Sequence, residues 1–372
     1  MAHISDCYAP RTGGIETQVG ALVQQQVAAG LRVRVITATR GTGSTEERST
    51  SNPAVHRVVA RIPGDLPIHP RTRHHVERLL QEFPVDVVHV HLGAVSPFAW
   101  GGIRAAHRLN LPILVTVHSM WGPVARFGYR VSDHLLHWSD WRLRMAAVSP
   151  VAAAAIADAM PGARPVLVLP NGIDPQLWRN PTKRGDNGDA EPGLRLVSVL
   201  RLAPRKRVLP LLRIVEAAGR RSGTRIHLAV IGDGPVRGRA ERLARGMRHC
   251  QVTFTGRLDR SGIQEQFAQA DLFVQPSIRE SFGLAALEAR TWGLPVIARS
   301  QSGSGAFITH GETGCLVASD QAMVEVLSDF ATDMPSLRAL QASTLDAPVE
   351  QTWPAILAGT MEAYRALLAT SR

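Results

Sequence analysis

The chain has 372 residues, 45% of them hydrophobic and 5% aromatic, and its 42 Lys or Arg against 31 Asp or Glu give a net charge of +11. That length is too great for one compact core and predicts two domains of roughly 150–200 residues, with the composition of an ordinary soluble globular protein. No apolar run reaches the ~20 residues of a membrane span, and the opening Met1-Ala2-His3-Ile4-Ser5-Asp6 lacks the basic-then-apolar pattern of a secretory leader.

Cys7, Cys250 and Cys315 are odd in number and far apart. They read as thiols of a reducing cytoplasm, not as a disulfide frame or a zinc site. The charge is uneven. Residues 201–257 carry fourteen Lys or Arg against Glu216, Asp233 and Glu241, an excess equal to that of the whole chain. Such a segment is either a solvated Arg-rich face or a site for an anionic partner: a nucleotide diphosphate, a membrane surface or a nucleic acid.

In chain order, short Val- and Ile-rich runs at Arg32–Ala38, Val55–Ile62, Val85–His91, Pro112–His118 and Pro165–Leu169 predict strands. Their near-continuous apolar character is that of strands covered on both faces. Thr17–Ala29 and Arg71–Phe83 fit as helices between them. The polar, Pro/Gly-rich stretch Arg179–Gly193 reads as an exposed loop near a domain boundary. The alternation then restarts with Leu194–Leu200, Arg225–Ile231, Val252–Thr255, Leu272–Gln275 and Pro295–Ala298. A helix over Arg207–Arg221 puts Val208, Leu211, Leu212 and Val215 on one face, and a last helix is expected over Pro354–Ala369. Strand–helix alternation implies parallel sheets with right-handed crossovers. Two successive Rossmann-like units imply a cleft between α/β domains, lined by loops that follow strands.

Four such loops carry candidate chemistry. Pro10 to Glu16 contains Gly13 and Gly14, a tight turn or a close backbone approach to a ligand at a helix N-terminus. It lacks G-x-G-x-x-G, which disfavours a nicotinamide dinucleotide. His118 ends a strand and is placed to hydrogen-bond a sugar hydroxyl or a reacting group. His89 and His91 share a strand face, but no third ligand lies nearby in sequence, so buried, hydrogen-bonded histidines are expected and no metal site. Arg201 and Lys206, five apart across a short loop, suit one pyrophosphate, Arg as a fork and Lys as a compact charge, or else form a solvated basic loop. In the fourth loop, Glu280 and Ser281 precede a helix with Gly283 in its first turn. Free N–H groups there suit phosphate oxygens or sugar hydroxyls. Glu288 lies one turn past Leu284, where a carboxylate in an apolar helix needs a partner such as a ribose hydroxyl pair. The plainer alternative makes Glu280 a cap and Glu288 a surface acid.

The run Glu280-Ser281-Phe282-Gly283-Leu284 through Glu288 resembles the E-x7-E motif of glycosyltransferase family 4. Other segments occur in that family's order: Pro10–Glu16, Val115–Ser119, Ala147–Ser149 with Pro170–Asp174, Val230–Pro235, Phe254–Leu258 and Gly293–Val296. The resemblance covers nearly the whole chain and reaches phosphatidylinositol mannosyltransferase-like enzymes. It implies an α/β GT-B fold: an N-terminal, acceptor-side Rossmann-like domain over 1–175, a donor-side domain over 176–350, and a helix over 351–372 crossing back to the first. It also implies transfer of a hexose from a UDP- or GDP-sugar with retention and without metal, which agrees with the lack of Asp-x-Asp.

By resemblance, Arg201 and Lys206 hold the diphosphate, and Glu280 with Ser281 and the backbone of Phe282, Gly283 and Leu284 meets the donor. Glu288 takes the ribose, Arg257 lies near the base, His118 touches the sugar, and Gly14 approaches the phosphates or acceptor. One departure is Ala306, in Ser302-Gly303-Ser304-Gly305-Ala306, where the family often has Glu. No cofactor is expected, the nucleotide-sugar being a substrate. The acceptor is a lipid, polysaccharide or small molecule. The expected location is the cytoplasm, with peripheral contact to an anionic inner membrane face in which Trp100, Trp121, Phe127 and Trp138 either take part or serve as core. Rival functions are a nucleotide-sugar epimerase or hydrolase, and a silent binding module. Nucleic-acid binding is disfavoured by the few aromatics and the lack of a known module.

Overall fold

A computed structural model describes residues 1–41, 53–60, 67–160, 164–180 and 193–369. Most of the expected loop Arg179–Gly193, and the end of the expected strand Val55–Ile62, lie outside the described residues.

The chain divides into two compact units, Met1–Gly172 with Gln351–Arg372, and Ile173–Glu350. The first holds strands β1 (Ala2–Ser5), β2 (Arg34–Thr37), β3 (Ala54–Arg57), β4 (Val88–Leu92), β5 (Ile113–Val117), β6 (Leu143–Ala147) and β7 (Leu167–Val168). They form one parallel sheet in the order β3-β2-β1-β4-β5-β6-β7. Its helices are α1 (Gly14–Ala28), α2 (Thr72–Glu82), α3 (Pro97–Arg108), α4 (Pro123–Leu136) and α5 (Pro150–Ala159).

The second unit holds α6 (Pro175–Trp178), β8 (Leu194–Val199), α7 (Val208–Ser222), β9 (Ile226–Ile231), α8 (Arg237–Ala244), β10 (Cys250–Gly256), α9 (Arg260–Gln269), β11 (Leu272–Gln275), α10 (Leu284–Trp292), β12 (Val296–Arg299), β13 (Gly314–Val317), α11 (Asp320–Thr332) and α12 (Met334–Asp346). Its parallel sheet runs β10-β9-β8-β11-β12-β13. The last helix, α13 (Trp353–Ala369), belongs to the first unit, where Ala363, Tyr364 and Leu367 pack on Val87, Leu114 and Ala146.

The strand cores are buried as their apolar runs require. In β5, Ile113, Leu114, Val115 and Val117 are wholly inaccessible. The apolar stripe of α7 behaves likewise: Val208, Leu211, Leu212 and Val215 are all buried, each side chain contributing ~1.5–3 kcal/mol. That helix stops at Gly223, whose left-handed φ of 70° suits glycine.

The strand order fixes where chemistry can sit. In the second sheet the order reverses between β8 and β11, so the loops leaving those two strands turn to opposite sides and leave a crevice at their carboxyl ends. These are the loops that carry Arg201 and Lys206, and Glu280 to Gly283. In the first sheet the reversal lies between β1 and β4.

Candidate active site

The loop after β8 is shaped by what lies beside it. Leu200 donates its N–H to Ile231 (2.9 Å) and Leu202 to Asp233 (3.0 Å), while Val236 donates to Leu202 (3.0 Å). A Cβ on Gly234 would strike the Leu202 carbonyl, so the Gly-Asp-Gly-Pro turn allows a backbone approach that a side chain would block. Pro204–Lys206 then forms a single 3-10 turn closed by Lys206 N–H to Ala203 (2.9 Å). Lys206 projects from its end and reaches Glu280, Nζ to Oε2 2.5 Å, both side chains partly shielded. Ser277 Oγ donates to the Lys206 carbonyl (3.2 Å), stitching the two loops together.

Glu280 is therefore the ion-pair partner of Lys206, neither a helix cap nor an isolated surface acid. Arg201 is exposed at the end of β8, and its guanidinium has no partner among the described residues. Arg257, just past β10, is exposed in the same way. Neighbouring Arg207 is different: it and Arg299 converge on Asp320 at the start of α11, a structural cluster that uses up those cations.

The loop after β11 is braced from beneath. Gly303 donates its N–H to the Glu280 carbonyl (2.8 Å), Gln275 Nε2 donates to Ser304 Oγ (3.1 Å), and Ser304 Oγ donates to the Phe282 carbonyl (3.1 Å). Phe282 is buried against Phe307, ring centroids 5.1 Å apart. Gly283 caps α10 at φ 94°, and no side chain satisfies the first-turn amides. The N–H groups of Gly283, Leu284 and Ala285 have no acceptor among the described residues, the condition in which a helix N-terminus receives an anion. Ser281 is partly buried at its mouth.

The carboxyl of Glu288, one turn further on, has no hydrogen-bond partner among the described residues. Burial pushes its pKa up to about 8, with Arg260 pulling weakly the other way. A half-hidden carboxyl without a partner suits a ligand that brings its own hydroxyl donors.

Sequence reasoning missed Gln275 and Ser304, the polar pair that holds the Glu280 loop. Their signal was present as a Gln at the end of an apolar strand, and as the Ser-Gly-Ser stretch preceding Ala306.

In the first unit, Gly14 is the exposed first residue of α1. Glu16 already lies in that helix's first turn, paired with Arg11 at 3.5 Å. His118 follows β5, with its Nε2 3.1 Å from His91 Nδ1 and a hydrogen bond to Asn171. Burial lowers its pKa to about 4, so the ring is neutral near pH 7. The pair His89 and His91 does gain a third histidine, His3, because parallel pairing places β1 beside β4 with His3 opposite His89. Every ring nitrogen of the three is hydrogen-bonded, which is the reading expected from sequence. Of the four aromatics weighed for a lipid surface, Trp121 and Trp138 are core residues, Trp100 packs against Trp138, and Phe127 is exposed.

Comparison with known proteins gives the same picture. Residues 12–177 match the family described as Glycosyltransferase Family 4, and residues 193–333 match the family described as Glycosyl transferases group 1. A GDP-mannose-dependent alpha-(1-6)-phosphatidylinositol monomannoside mannosyltransferase of Mycobacterium tuberculosis is 26% identical over 348 residues, 89% of this chain and 88% of that enzyme. The sulfoquinovosyl transferase of Arabidopsis thaliana is 28% identical over 271 residues, 68% of this chain; the match spans only about half, 49%, of that protein's length. Among solved structures, Anabaena HepE in complex with UDP and glucose superposes with a TM-score of 0.74 at 18% identity, covering 98% of this chain and 100% of that one, a likeness of fold. Two parallel-sheet Rossmann-like units of the GT-B type, each half matched by a glycosyltransferase family, show that the chain belongs to the family 4 glycosyltransferases.

Proposed function

We propose that this protein transfers a hexose from a UDP- or GDP-sugar to an acceptor hydroxyl, with retention at the anomeric carbon and without a metal. The observation that carries the reading is the Lys206–Glu280 pair at the switch point of the second sheet, on the loops that also carry Arg201, unpaired among the described residues, and the open amides of α10. Lys206 and Arg201 are suited to the donor's two phosphates. Glu280, Ser281 and the backbone of Phe282 to Leu284 serve the sugar, Glu288 the ribose, Arg257 the base, and His118 and Gly14 belong to the acceptor-side unit. HepE was solved with UDP and glucose, and the mycobacterial relative depends on GDP-mannose, so both bases remain in the substrate class.

Retention follows from front-side attack. The bond from the anomeric carbon to the phosphate oxygen breaks, and the acceptor oxygen bonds to the same face. The acceptor proton passes to the departing diphosphate. Cations already held at the phosphates stabilise the charge that grows there without reorganising during the step, the form of catalysis that contributes most in many enzymes.

Glu288 makes the donor site testable by proton linkage. Its raised pKa keeps it protonated near pH 7 in the free protein. Two ribose hydroxyls donating to the carboxylate favour the ionised form and lower that pKa, so nucleotide binding releases a proton between the bound pKa and about 8. Affinity should rise with pH across that window. Calorimetry with UDP, GDP and ADP, in buffers of different ionisation enthalpy at pH 7, is expected to show proton release for the preferred base and its loss in Glu288→Gln. Binding with no release in the native protein, or the same release in the variant, sinks the ribose assignment.

A specific observation favours peripheral contact with an anionic membrane. Val124, Phe127, Val131 and Leu135 line one face of α4 and are 87%, 69%, 41% and 71% exposed. One helix stripe is far short of the roughly 20–30 residues per side of a standard protein interface, but it is enough for shallow insertion among lipid headgroups. The net charge of +11 supplies the attraction to anionic lipid. Flotation with phosphatidylglycerol vesicles is expected, reduced several-fold by a Phe127→Ser, Val131→Ser double substitution. Equal flotation with neutral vesicles, or no effect of the substitutions, removes this reading.

A further inference from the structure

An open sheet has two edges, and natural sheets blunt them with short strands, prolines or charges. Three of the four edges here are short: β3 has four residues, β7 two, and β13 four beginning at Gly314. The fourth is β10, seven residues without charge or proline and the longest strand among the described residues. It pairs only with β9. The parallel register, with Ile226 N–H donating to the His249 carbonyl (3.1 Å), fixes how its backbone points. Gln251 and Thr253 turn their N–H and C=O toward β9. Cys250, Val252 and Phe254 turn theirs outward, where they have no partner among the described residues. The register shifts only past Phe254.

The two faces beside this edge differ. On one, Val252 and Phe254 pack in a cluster with Ala240 and Leu243 of α8 and Met247 of the turn after it. On the other, Gln251 and Thr253 are exposed and line a groove of about 530 Å³ with His227, Gln266 and Gln269. Positive charge surrounds the edge. Residues 237–248 hold five arginines against one acid, Glu241, and Arg237 takes that acid at 2.7 Å. Arg239, Arg242 and Arg245 follow at every third residue, and Arg248 stands in the turn into β10. All four are exposed, with no carboxylate partner among the described residues. Two copies paired antiparallel through β10 would bring Arg248 and His249 of one near Arg257 of the other, a like-charge contact that disfavours self-pairing. A lipid surface offers charge but no row of backbone donors and acceptors. Residues 237–257 also expose no large apolar side chain to insert among headgroups.

We propose that β10 is a docking edge for an acidic polypeptide segment, which adds to the second sheet as an extended strand, its backbone paired with Val252 and Phe254 and its carboxylates held by Arg245 and Arg248. In such strand addition, main-chain pairing gives affinity and alternate side chains give specificity. The side chains of the added strand that lie on the α8 face are apolar, those over the groove carry hydroxyls or amides, and acids flank both ends. The loops of Lys206 and Glu280 leave β8 and β11, which lie inside the sheet beyond β9, so the docked strand does not occupy their crevice. This docking does not rest on the proposed transfer reaction.

The test is fluorescence anisotropy with the full-length protein and a labelled peptide, Asp-Glu-Val-Thr-Val-Thr-Val-Glu-Asp. Binding is expected to weaken as salt rises and to vanish when Lys replaces the acids. Two further peptides carry N-methyl groups on alternate amides. One set is expected to lower affinity by about tenfold or more, because it leaves β10 carbonyls unpaired, and the other to change it by about twofold at most. Val252→Pro removes an outward N–H without touching the β9 ladder, and should weaken binding as the first set does. Arg245→Ser with Arg248→Ser should weaken it several-fold and flatten the salt dependence. The methylated peptides act on the native protein, so they decide the pairing even if the Pro variant does not fold. No binding of the acidic peptide, equal losses for both methylated sets, or no effect of the Arg substitutions overturns the proposal. So does a native dimer that Val252→Pro turns into a monomer, which assigns the edge to a second copy. Flotation with phosphatidylglycerol vesicles that needs Arg245 and Arg248, without peptide binding, assigns the arginines to a membrane and overturns it too.

Discussion

Lys206→Ala and Glu280→Ala are each expected to lower turnover by about 10²-fold or more, the order of loss when one preorganised charge partner is removed. The physical reason lies in their joint position. Lys206 Nζ is 2.5 Å from Glu280 Oε2 on two loops that diverge at the switch point. Without substrate each charge satisfies the other. In the reading proposed above, a bound nucleotide-sugar brings its diphosphate to this ammonium, and the carboxylate turns to the sugar hydroxyls. Removing either group leaves its partner uncompensated and the loop pairing loosened. The two losses are therefore not additive: the double variant should fall well short of the product of the single effects, as groups acting as a unit do. Far-UV spectra and thermal midpoints recorded alongside separate lost chemistry from lost folding. Near-normal turnover in both single variants contradicts the role assigned to the pair.

Gly283→Ala is expected to be the most damaging small substitution at the site. The residue sits at φ 94°, where a side chain is strained, and an added Cβ would lie 2.6 Å from Ser304 Oγ and 2.9 Å from Gln275 Nε2. Backbone strain costs about 1–3 kcal/mol, and displacement of the buried Gln275–Ser304–Phe282 chain adds a further ~1 kcal/mol or more. For a unit of this size each kcal/mol moves the midpoint by about 2–4 °C, so a fall of roughly 4–16 °C is expected. Gly305→Ala is the control, since its Cβ would meet only Leu316 Cδ1 at an ordinary 3.6 Å. Equal thermal midpoints for the two alanine variants would show that the Gly283 geometry is not required. Nucleotide affinity should fall with Gly283→Ala and stay with Gly305→Ala, because only the first moves the open amides of α10.

Much of this was legible because buried parallel strands leave a strong trace. Leu272–Gln275 and the stripe of α7 stand out as apolar runs with one possible face, and the structure places them as expected. The strands β1, β6 and β13 did not stand out. β6 reads Leu-Arg-Met-Ala-Ala, with no β-branched residue, and β13 is only four residues long and begins with Gly. Their strand state is imposed by neighbours in the sheet, which local propensity does not record. The charged residues of the site were visible as types and spacings. What joined them was not: the Lys206–Glu280 contact spans 74 residues of sequence, and the third histidine at His89 and His91 comes from β1, 86 residues before the first of them. The basic background also hid a distinction. Arg207 and Arg299 are spent on Asp320, whereas Arg201 and Arg257 stand open, a difference that only tertiary packing makes.

The central claim is transfer of a hexose from a nucleotide-sugar with retention, and the most direct measurement is proton NMR of the reaction itself. The full chain is incubated with UDP-glucose, GDP-mannose or ADP-glucose, with and without a panel of lipid, oligosaccharide and cyclitol acceptors, and the anomeric signal is followed from donor to product. The expected result is consumption of one donor only when an acceptor is present, release of its nucleoside diphosphate, and a product with the donor's anomeric configuration. Free sugar or an epimerised donor appearing without any acceptor, or a product of inverted configuration, would contradict the account.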